Sequence, residues 1–395
     1  MRWTSEPSDI EKAQPIKASS KSTSIANKAP HKTVLVCFSH LRWRFVYQRP
    51  QHLMSRFATT YHVLFFEEAV FTDIDMPWLE KRLEGNLRVL VPHLPETYQG
   101  AIAVDAQRNL LDEYLAEIAA SDIISWYYTP MSLPYSDHLR PRLTVYDCMD
   151  ELSAFRGAPP SLVEQERHLI ERADLIFTGG ISLFEAKRQL HDNVHPFPSS
   201  VDIAHFGAAR KPQPEPEDQA PLPRPRLGFF GVIDERLDIA LLEKAATQRP
   251  EWQFILIGPV VKIDPDTLPK LPNIHYLGPK SYAELPQYLA SWDVALMPFA
   301  LNEATRFISP TKTPEYLAGG RLVVSTPIAD VIRTYGDSGV VKIAKTPEEF
   351  IRAIEESLKE LPHHERVWQL ADAALSDMSW DTTWKLMEEQ MRCAV

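Results

Sequence analysis

The sequence predicts an α/β protein with two doubly wound domains that face each other across a cleft. Short β-branched runs alternate with helical patterns in the first half of the chain, the same alternation repeats in the second half, and a proline-rich segment separates the halves. Such alternation is typical of parallel sheets covered by helices on both faces. A chain of 395 residues is also longer than one domain of ordinary size.

The first half contains six predicted strands and three predicted helical patterns. The strands are predicted at 33–38, 62–66, 87–91, 123–128, 143–146 and 175–178, and the helices near 49–52, at 105–120 and at 161–173. The second half contains six predicted strands, at 227–232, 253–257, 274–277, 294–297, 322–325 and 340–343, with a helix at 239–248. Because open α/β sheets bind ligands beyond the carboxyl ends of their strands, we expect the functional residues in the loops that follow strands.

Composition divides the chain into five predicted segments. They are a tail (1–32), a first domain (33–210), a linker (211–225), a second domain (226–375) and a terminal helix (376–395). The tail carries six cations against three anions and is typical of disorder. Six prolines in fifteen residues predict that the linker is a stiff, extended connector rather than a packed element. The terminal helix is amphipathic and could return to the first domain, although its own pattern does not show where it docks.

Charge and cysteine content exclude several classes of protein. A formal net charge of -11 argues against sequence-independent binding of nucleic acid, whereas small anionic ligands need only a few local cations. Three widely spaced cysteines predict neither a disulfide framework nor a cysteine metal pair, and they fit a reducing cytoplasm. The chain lacks a transmembrane run and a signal peptide pattern, so we expect a cytoplasmic location. The cations of the tail leave a peripheral membrane contact open.

The densest candidate site lies in the second half, after the strand at 294–297. Ser309, Thr311 and Lys312 precede a helix predicted to begin near Pro314, and Glu315 lies in its first turn. Hydroxyls, an ammonium and free backbone N–H groups could bind a pyrophosphate there, and a carboxylate could accept both hydroxyls of a ribose. Simple helix capping with a dipole-favourable glutamate explains the pattern equally well.

A second candidate lies in the loop after the strand at 227–232. Gly231 would let backbone approach a phosphate, and Arg236 could pair with phosphate oxygens. The turn at Gly179 and Gly180 is a weaker candidate of the same kind. The chain contains no dinucleotide-binding or P-loop glycine motif, and no zinc protease or hydrolase motif, which removes those classes.

In the first half, polar residues follow two predicted strands. Asp147, Asp150 and Glu151 end one strand, where a carboxylate could hold an acceptor hydroxyl and accept its proton. In the first strand-to-helix loop, four cationic or titratable residues could bind acceptor hydroxyls or a phosphate: His40, Arg42, Arg49 and His52. Structural alternatives remain open for all of these residues. Asp150 could cap the following segment, Glu151 could simply be solvated, and the histidines and arginines could have structural roles.

Several stretches in order resemble one family of bacterial enzymes. They are Phe38–Trp43 with Tyr47–His52, Tyr146–Glu151, Phe197–Asp202, Phe230–Arg236 and Ile308–Leu317. These stretches resemble retaining glycosyltransferases of family four, which have the GT-B architecture of two Rossmann-like domains. In particular they resemble a branch of exopolysaccharide and teichuronic-acid-type synthesis, which sometimes occurs fused to UDP-galactopyranose mutase. The resemblance covers residues 33 to about 390.

The resemblance implies which half binds which substrate. It implies that the second domain binds a nucleotide sugar of UDP or GDP type, with Gly231, Arg236 and Lys312 near the diphosphate and Glu315 on the ribose. It implies that the first domain binds the acceptor, and that transfer retains anomeric configuration without a metal or other cofactor. One departure concerns the donor sugar. The family commonly has a glutamate eight positions before the one that matches Glu315, and here that position is Phe307, with Glu303 as a substitute to be tested.

These expectations combine into one predicted function and two alternatives. We expect a glycosyltransferase that moves a sugar from a nucleotide donor to a glycan or lipid-linked acceptor in cell-surface or exopolysaccharide synthesis. Asp147, Asp150, Arg236 and Lys312 are the predicted catalytic residues. A non-catalytic nucleotide-sugar or glycan-binding protein and a nucleotide-sugar epimerase are the alternatives. The sequence does not define the donor, the acceptor, the linkage or the oligomeric state.

Overall fold

A computed structural model describes residues 33–395. The tail predicted at 1–32 lies outside these residues. Within them, the chain forms two sheets, each made largely of parallel strands. The predicted α/β class with two doubly wound sheets is confirmed.

The first sheet has nine strands and contains β1 at its centre. Its strands are β1 (Val34–Ser39), β2 (His62–Glu67), β3 (Val70–Thr72), β4 (Trp78–Glu84), β5 (Leu87–Pro95), β6 (Ile123–Tyr127), β7 (Leu143–Cys148), β8 (Leu175–Thr178) and β9 (Val194–Pro196). Their spatial order is β3-β5-β2-β1-β6-β7-β8-β9, with β4 paired to β5. Only β4 runs antiparallel within this sheet. In register, Cys37 of β1 lies opposite Phe65 of β2 and Trp126 of β6.

Helices cover both faces of the first sheet. They are α1 (Arg49–Phe57), α2 (Gly100–Glu117), α3 (Leu133–Ser136), α4 (Leu162–Arg172) and α5 (Ile181–Lys187). Since successive strand residues point to opposite faces, alternate residues of β1 enter two different cores. Leu35 and Cys37 join one apolar cluster, and Val34, Val36 and Phe38 join the other. This two-sided burial explains why β1 is apolar almost without interruption.

The second sheet has six parallel strands. They are β10 (Arg226–Phe230), β11 (Gln253–Ile257), β12 (Ile274–Tyr276), β13 (Val294–Met297), β14 (Val323–Ser325) and β15 (Val341–Ile343). Their order is β12-β11-β10-β13-β14-β15, which is the 3-2-1-4-5-6 order of dinucleotide-binding folds. In such a sheet the strand order reverses between the first and fourth strands, so the ligand crevice is expected beyond the carboxyl ends of β10 and β13.

Six helices and one returning helix complete the chain. They are α7 (Ile239–Gln248), α8 (Leu285–Ala290), α9 (Lys312–Ala318), α10 (Ala329–Tyr335), α11 (Pro347–Lys359), α12 (His364–Ala374) and α13 (Trp380–Cys393). The last of these, α13, packs on the first domain. Trp380, Met387 and Met391 join an apolar cluster of the first sheet, and Asp381 pairs with Arg56 of α1 at 2.6 Å. The end of the chain therefore crosses back over both domains.

The segment before the linker belongs with the second core, in contrast to the predicted boundary at 210. A short helix, α6 (Ile203–Gly207), follows the first sheet. Val201, Phe206 and Ala209 are buried in the apolar cluster of the second domain, and Arg210 donates hydrogen bonds to the carbonyls of Ala318 and Leu317. The sequence did not indicate this because the partners lie about a hundred residues further along.

The proline-rich segment at 211–225 is mostly exposed, as the prediction of a connector requires, but side-chain contacts anchor it to the second domain. Gln219 is fully buried. Its Nε2 donates to the Tyr288 carbonyl at 3.2 Å, and its Oε1 accepts from Trp292 Nε1 at 2.9 Å. Although the prolines remove backbone donors, the side-chain amide supplies hydrogen bonds that hold the segment against the second domain.

Removing this amide is expected to destabilise the second domain. Gln219→Ala leaves the buried Trp292 N–H without its acceptor, and an unsatisfied buried donor costs about 1–3 kcal/mol. Urea unfolding should show this loss of free energy of unfolding, whereas the exposed Gln248→Ala should stay within about 0.5 kcal/mol of the unaltered protein. Equal effects of the two substitutions would show that the segment contributes no packing energy.

The helices were compared with the length and apolar character of a membrane-spanning helix. No helix among residues 33–395 combines the length and the apolar character that crossing a bilayer requires.

Candidate functional site between the two sheets

The loop after β1 is mostly held by structural contacts. Arg49, a predicted substrate-binding residue, is 1% exposed, and Asp147, a predicted catalytic residue, is 0% exposed. Arg49 donates from Nε and Nη2 to the Asp147 carboxylate at 2.8–3.1 Å, and from Nη1 to the Phe197 carbonyl at 2.7 Å. Both predictions are therefore corrected: the two residues form a buried ion pair that ties α1 to β7, with no free polar face for a substrate.

His52 and Arg42 also have structural partners. Burial contradicts the predicted substrate role of His52, whereas that of Arg42, whose side chain is 33% exposed, stays a prediction. His52 is buried and stacks on Trp380 with ring centroids 4.6 Å apart. Burial lowers the pKa of His52 to about 2, so the ring is neutral. Arg42 donates to Glu67 Oε2 at 3.1 Å and to the Glu68 carbonyl at 2.6 Å. Neither side chain points a free cation toward a ligand.

His40 is the residue of this loop that reaches a cavity. A small cavity at the carboxyl ends of β1 and β6 is lined by His40, Glu68, Thr129, Met131, Leu152 and Leu162. Burial lowers the pKa of His40 to about 4 and raises the pKa of Glu68 to about 7. The sequence indicates His40 but not Glu68, because a single glutamate directly after a strand gives no special pattern.

After β7, Asp150 and Glu151 have different surroundings. Glu151 forms an ion pair with the buried Lys187 at 2.9 Å and accepts from Ser153 Oγ at 2.7 Å, so its predicted substrate role is replaced by a structural one. Asp150 faces the second domain, where Arg236 and Asp234 act on its charge. Burial raises the pKa of Asp150 to about 6, and Arg236 opposes this rise.

This raised pKa predicts how stability depends on pH. Because the folded-state pKa of Asp150 lies above its ordinary value, the contribution of this group is fully present at low pH and is lost as pH rises through about 6. Relative to Asp150→Asn, the unaltered protein should therefore lose free energy of unfolding between about pH 4 and pH 7. Urea unfolding of both proteins across this range measures the difference. A pH-independent difference would contradict the burial of this carboxyl group.

Arg236 lies at the interface between the domains, as a residue of the loop after β10. Its guanidinium forms a bidentate ion pair with Asp234: Nε donates to Oδ1 at 3.0 Å, and Nη2 donates to Oδ2 at 2.8 Å. The guanidinium also lies 5.3 Å from the ring centroid of Phe155, which belongs to the first domain. Arg236 is thus fixed in direction before any ligand binds.

Lys312 lies beside Gly231 at the carboxyl end of β10. A Cβ at Gly231 would lie 3.4 Å from Lys312 Cε, and Gly231 has φ of 153°, which side chains rarely adopt. A Cβ at Gly258 would lie 1.8 Å from the Gly231 carbonyl oxygen. The loops after β10 and β11 therefore approach so closely that only glycine fits at both positions. The structure brings Lys312 to this glycine, and among residues 33–395 no contact joins Lys312 to Arg236.

Glu315 is close to Lys312 and is deeply buried. Lys312 Nζ lies 3.5 Å from Glu315 Oε2 and 2.7 Å from Thr311 Oγ1. Glu315 is 6% exposed, and its Oε2 has no hydrogen-bond partner within residues 33–395. Burial raises the pKa of Glu315, and Lys312 opposes that rise. A buried carboxylate oxygen whose nearest partner is an ammonium 3.5 Å away keeps the capacity to accept a hydrogen bond from a hydroxyl of a ligand.

The helix that carries these residues differs from the prediction. It begins at Lys312 rather than near Pro314, and it has only seven residues. A helix of two turns aligns few peptide dipoles, so the ammonium of Lys312 rather than the helix end supplies the positive charge. Thr311 precedes the helix without capping it by a side-chain hydrogen bond.

Ser309, Glu303 and Phe307 lie away from this group. A Cβ at Gly180 of the first domain would lie 2.9 Å from Ser309 Cβ, so Ser309 packs at the domain interface. The side chain of Glu303 is 78% exposed and lies 3.6 Å from Arg306. Phe307 packs against an apolar cluster of the first domain. The exposed position of Glu303 does not support its predicted sugar role, and the predicted phosphate role of Ser309 stays a prediction.

The turn at Gly180 also joins the domains. Asp330 of α10 accepts from the backbone N–H of Ser182 at 3.0 Å and from its hydroxyl. Arg333 of the same helix pairs with Glu185 at 3.1 Å. These contacts indicate a docking point between α5 and α10 rather than a phosphate turn.

Sequence reasoning missed four residues of the interface. Phe155 and Tyr282 are aromatic residues outside any charge pattern, and Glu235 and Lys262 lie beside loops that the sequence did identify. Tyr282 stacks on His205 at 4.2 Å and lies 4.6 Å from the ring of Tyr47 in the first domain. Only the glycine at the start of the loop after β11 could have drawn attention to Lys262. Among residues 33–395, no three His, Cys, Asp or Glu residues are grouped as a metal site would require.

The loops of the second sheet thus contain groups suited to a diphosphate and other groups suited to a pair of neighbouring hydroxyls. Lys312 and the glycine backbones at the reversal of strand order suit phosphate oxygens, and Glu315 suits neighbouring hydroxyls. Known proteins share this arrangement of domains. Residues 224–360 match the family of group 1 glycosyl transferases. The chain has the GT-B fold, and its similarity to group 1 glycosyl transferases covers the second domain.

Relatives and solved structures agree with this assignment. The putative teichuronic acid biosynthesis glycosyltransferase TuaH of Bacillus subtilis is 29% identical over 234 residues, which span 55% of this GT-B chain and 59% of that protein. Sucrose-phosphate synthase from Thermosynechococcus elongatus superposes with a TM-score of 0.68 at 14% identity, covering 91% of this chain and 98% of the other. Anabaena HepE, solved in complex with UDP, superposes with a TM-score of 0.62 at 14% identity, covering 91% and 100%. At these identities the structures show the shared fold.

Proposed function

We propose that this GT-B protein transfers a sugar from a nucleotide donor to a glycan or lipid-linked acceptor. One observation carries the proposal: Lys312 and Glu315 lie beside Gly231, at the carboxyl end of the strand where the sheet order reverses. Lys312 would bind the diphosphate, and Glu315 would accept hydrogen bonds from the ribose. The group 1 match over residues 224–360 supports placing the donor on this domain.

The chemistry of the proposed transfer depends on the leaving group. As the bond from the anomeric carbon to the diphosphate breaks, negative charge grows on the phosphate oxygens. A cation fixed in place before the reaction stabilises that charge more in the transition state than in the bound donor. Lys312 is such a cation, and Arg236 is a second one if its pairing with Asp234 loosens when the donor binds.

The acceptor would bind to the first domain, where His40 and Asp150 lie at strand ends. Above about pH 6 the Asp150 carboxyl group is ionised and could accept the proton of the acceptor hydroxyl. A role in cell-surface polymer synthesis is part of the same proposal and is supported by the relation to a putative teichuronic acid biosynthesis enzyme. Retention of anomeric configuration is a further part of the proposal and follows only from the resemblance of the sequence motifs. A cytoplasmic location, with peripheral contact at the inner membrane face, also remains a proposal.

A thermal-shift screen over UDP-, GDP-, ADP- and TDP-sugars tests donor binding. A ligand that binds only the native state raises the unfolding temperature in proportion to the logarithm of its concentration over Kd. UDP-sugars are the expected donors, since two of the similar structures, HepE and an E. coli trehalose-6-phosphate protein, carry UDP and UDP-2-fluoro glucose. NMR of the product then reports whether the anomeric configuration is retained. No shift with any nucleotide sugar would overturn the proposal.

A non-catalytic nucleotide-sugar-binding protein is a second candidate. The observation that favours it is Phe307, which packs into the first domain where related transferases commonly have a glutamate. Release of the nucleoside diphosphate distinguishes the two functions. A binding protein would show the thermal shift but release no diphosphate with any acceptor.

A further inference from the structure

Glu235 presents a buried carboxylate oxygen with no partner. Its Oε2 is buried and has no hydrogen-bond partner within residues 33–395. Its Oε1 accepts from the backbone N–H of Arg156, in the first domain, at 3.3 Å. Burying an unpaired acceptor costs free energy, and such groups in folded proteins require an explanation. A hydrogen-bond donor that arrives with the substrate would satisfy this oxygen.

The loop that carries Glu235 is fixed on both sides. Its neighbours in sequence, Asp234 and Arg236, form a bidentate ion pair with each other. Asn302 Nδ2 donates to the backbone carbonyl of Glu235 at 3.0 Å. The carboxylate is therefore positioned by contacts that do not depend on a ligand, as a binding group should be.

Lys262, in the loop after β11, lies near the loop that carries Glu235. Its backbone has φ of 62°, one of only two positive values among the non-glycine residues of 33–395. Hydrogen bonds hold its loop beside the loop after β10, from Ile233 N to the Pro259 carbonyl at 2.9 Å and from Val261 N to the Ile233 carbonyl at 3.0 Å. Unfavourable backbone held by such contacts is frequent at functional sites.

Lys262 faces the first domain. Its Nζ lies 5.2 Å from the ring centroid of Phe155, the ring that also contacts Arg236. Its charge also acts on His40 and on Asp150. The second domain thus extends a carboxylate and an ammonium toward residues that end strands β1 and β7 of the first domain.

The charges of the residues around Glu235 and Lys262 indicate which kind of ligand could bind between them. Three carboxylates and two cations lie close enough to act on one another's charge: Asp150, Asp234 and Glu235, with Arg236 and Lys262. Glu235 Oε2 can only accept a hydrogen bond, and an ionised phosphate offers it no donor. Each hydroxyl of a sugar both donates and accepts a hydrogen bond, so a sugar can satisfy a carboxylate and an ammonium together.

We propose that Glu235 and Lys262 bind a sugar between the two domains. Glu235 Oε2 accepts a hydrogen bond from one hydroxyl, and Lys262 Nζ donates to a neighbouring sugar oxygen. The inference rests on the proposed transferase function and adds to it the two residues that recognise the sugar. The donor sugar and the acceptor glycan offer the same hydroxyl chemistry, and the experiment distinguishes them.

The test compares Glu235→Gln and Lys262→Ala with the matched control Glu243→Gln, whose carboxylate is exposed on α7. Calorimetry gives Kd for UDP and for UDP-glucose, or for the corresponding pair from the screen. Diphosphate release with a panel of p-nitrophenyl glycosides gives KM for the acceptor. Circular dichroism and thermal unfolding establish that each variant is folded, and the exposed Lys262 provides a variant with little expected effect on folding.

Both variants should bind UDP within about twofold of the unaltered protein. Because a hydrogen bond to a charged group contributes about 1.5–3 kcal/mol, each should lose on the order of 10- to 100-fold in one sugar-dependent constant. Weaker binding of UDP-glucose assigns the contact to the donor, and a raised acceptor KM assigns it to the acceptor. Equal weakening of UDP and UDP-glucose, or variants that match the control, overturns the inference alone. If the unaltered protein binds no nucleotide sugar, the proposed function fails as well.

Discussion

Replacing Lys312 by alanine is expected to lower turnover by on the order of 10²–10³-fold, the usual effect of removing one fixed group that stabilises transition-state charge. Lys312 is 2.7 Å from Thr311 Oγ1 and close to Gly231, so its ammonium is held where the diphosphate is proposed to bind. Affinity for the nucleoside diphosphate should fall by a smaller factor, because charge on the phosphate increases as the bond breaks. Diphosphate release measures the first effect, and calorimetry measures the second.

Two comparisons make this result specific. Lys270→Ala removes an ammonium whose side chain is 72% exposed on the same domain, and it should leave both quantities almost unchanged. Lys312→Arg keeps the charge and should retain more activity than the alanine variant. Because the alanine variant also leaves Glu315 without its neighbouring cation, thermal unfolding must show that it is folded. Similar, small losses for Lys312→Ala and Lys270→Ala would argue strongly against the proposed donor site.

Replacing Asp147 by alanine is expected to lower the free energy of unfolding by about 3–5 kcal/mol, since removing one partner of a buried ion pair leaves the other charge uncompensated. Arg49 would keep its hydrogen bond to the Phe197 carbonyl but would lose both carboxylate contacts. Urea unfolding followed by circular dichroism measures the loss. The first domain should unfold at a lower urea concentration than the second in this variant.

A surface ion pair and a double variant provide the controls. Asp381→Ala removes the exposed pair with Arg56 and should cost less than about 1 kcal/mol. Arg49→Met combined with Asp147→Leu should recover much of the stability, because apolar residues of similar size often replace buried ion pairs at little cost. A loss of less than 1 kcal/mol in Asp147→Ala would show that the pair does not hold α1 to β7.

The regular elements were the most predictable part of the fold. The bounds predicted for β8, β11, β13 and α7 are those of the structure. These elements have a strong apolar pattern: helices cover the strands on both faces, and α7 buries one face in the second core. In contrast, β4 (Trp78–Glu84) gave no strand signal, because this partly exposed strand contains four charged residues among seven and is defined by its pairing with β5.

Candidate sites were less predictable than elements. The loops after β1, β7 and β10 do meet between the domains, as the positions of strand ends require. Yet the sequence predicts a substrate role for Arg49 and a catalytic role for Asp147, since it does not reveal that a cation and a carboxylate 98 positions apart pair with each other. Glu235 and Lys262 were missed for the opposite reason, because their partners and their strained or buried geometry exist only in the folded chain.

The sequence by itself determined the class of fold and the closeness of Lys312 and Glu315 on one helical turn, because periodicity and short-range spacing depend on residues close in the chain. Tertiary structure decided which charged residues remain available to a substrate. It also placed residues 201–210 with the second core and α13 on the first. Burial and ion pairing depend on contacts between distant segments. Only the assembled domains therefore show whether a polar residue forms a structural contact or remains available for binding.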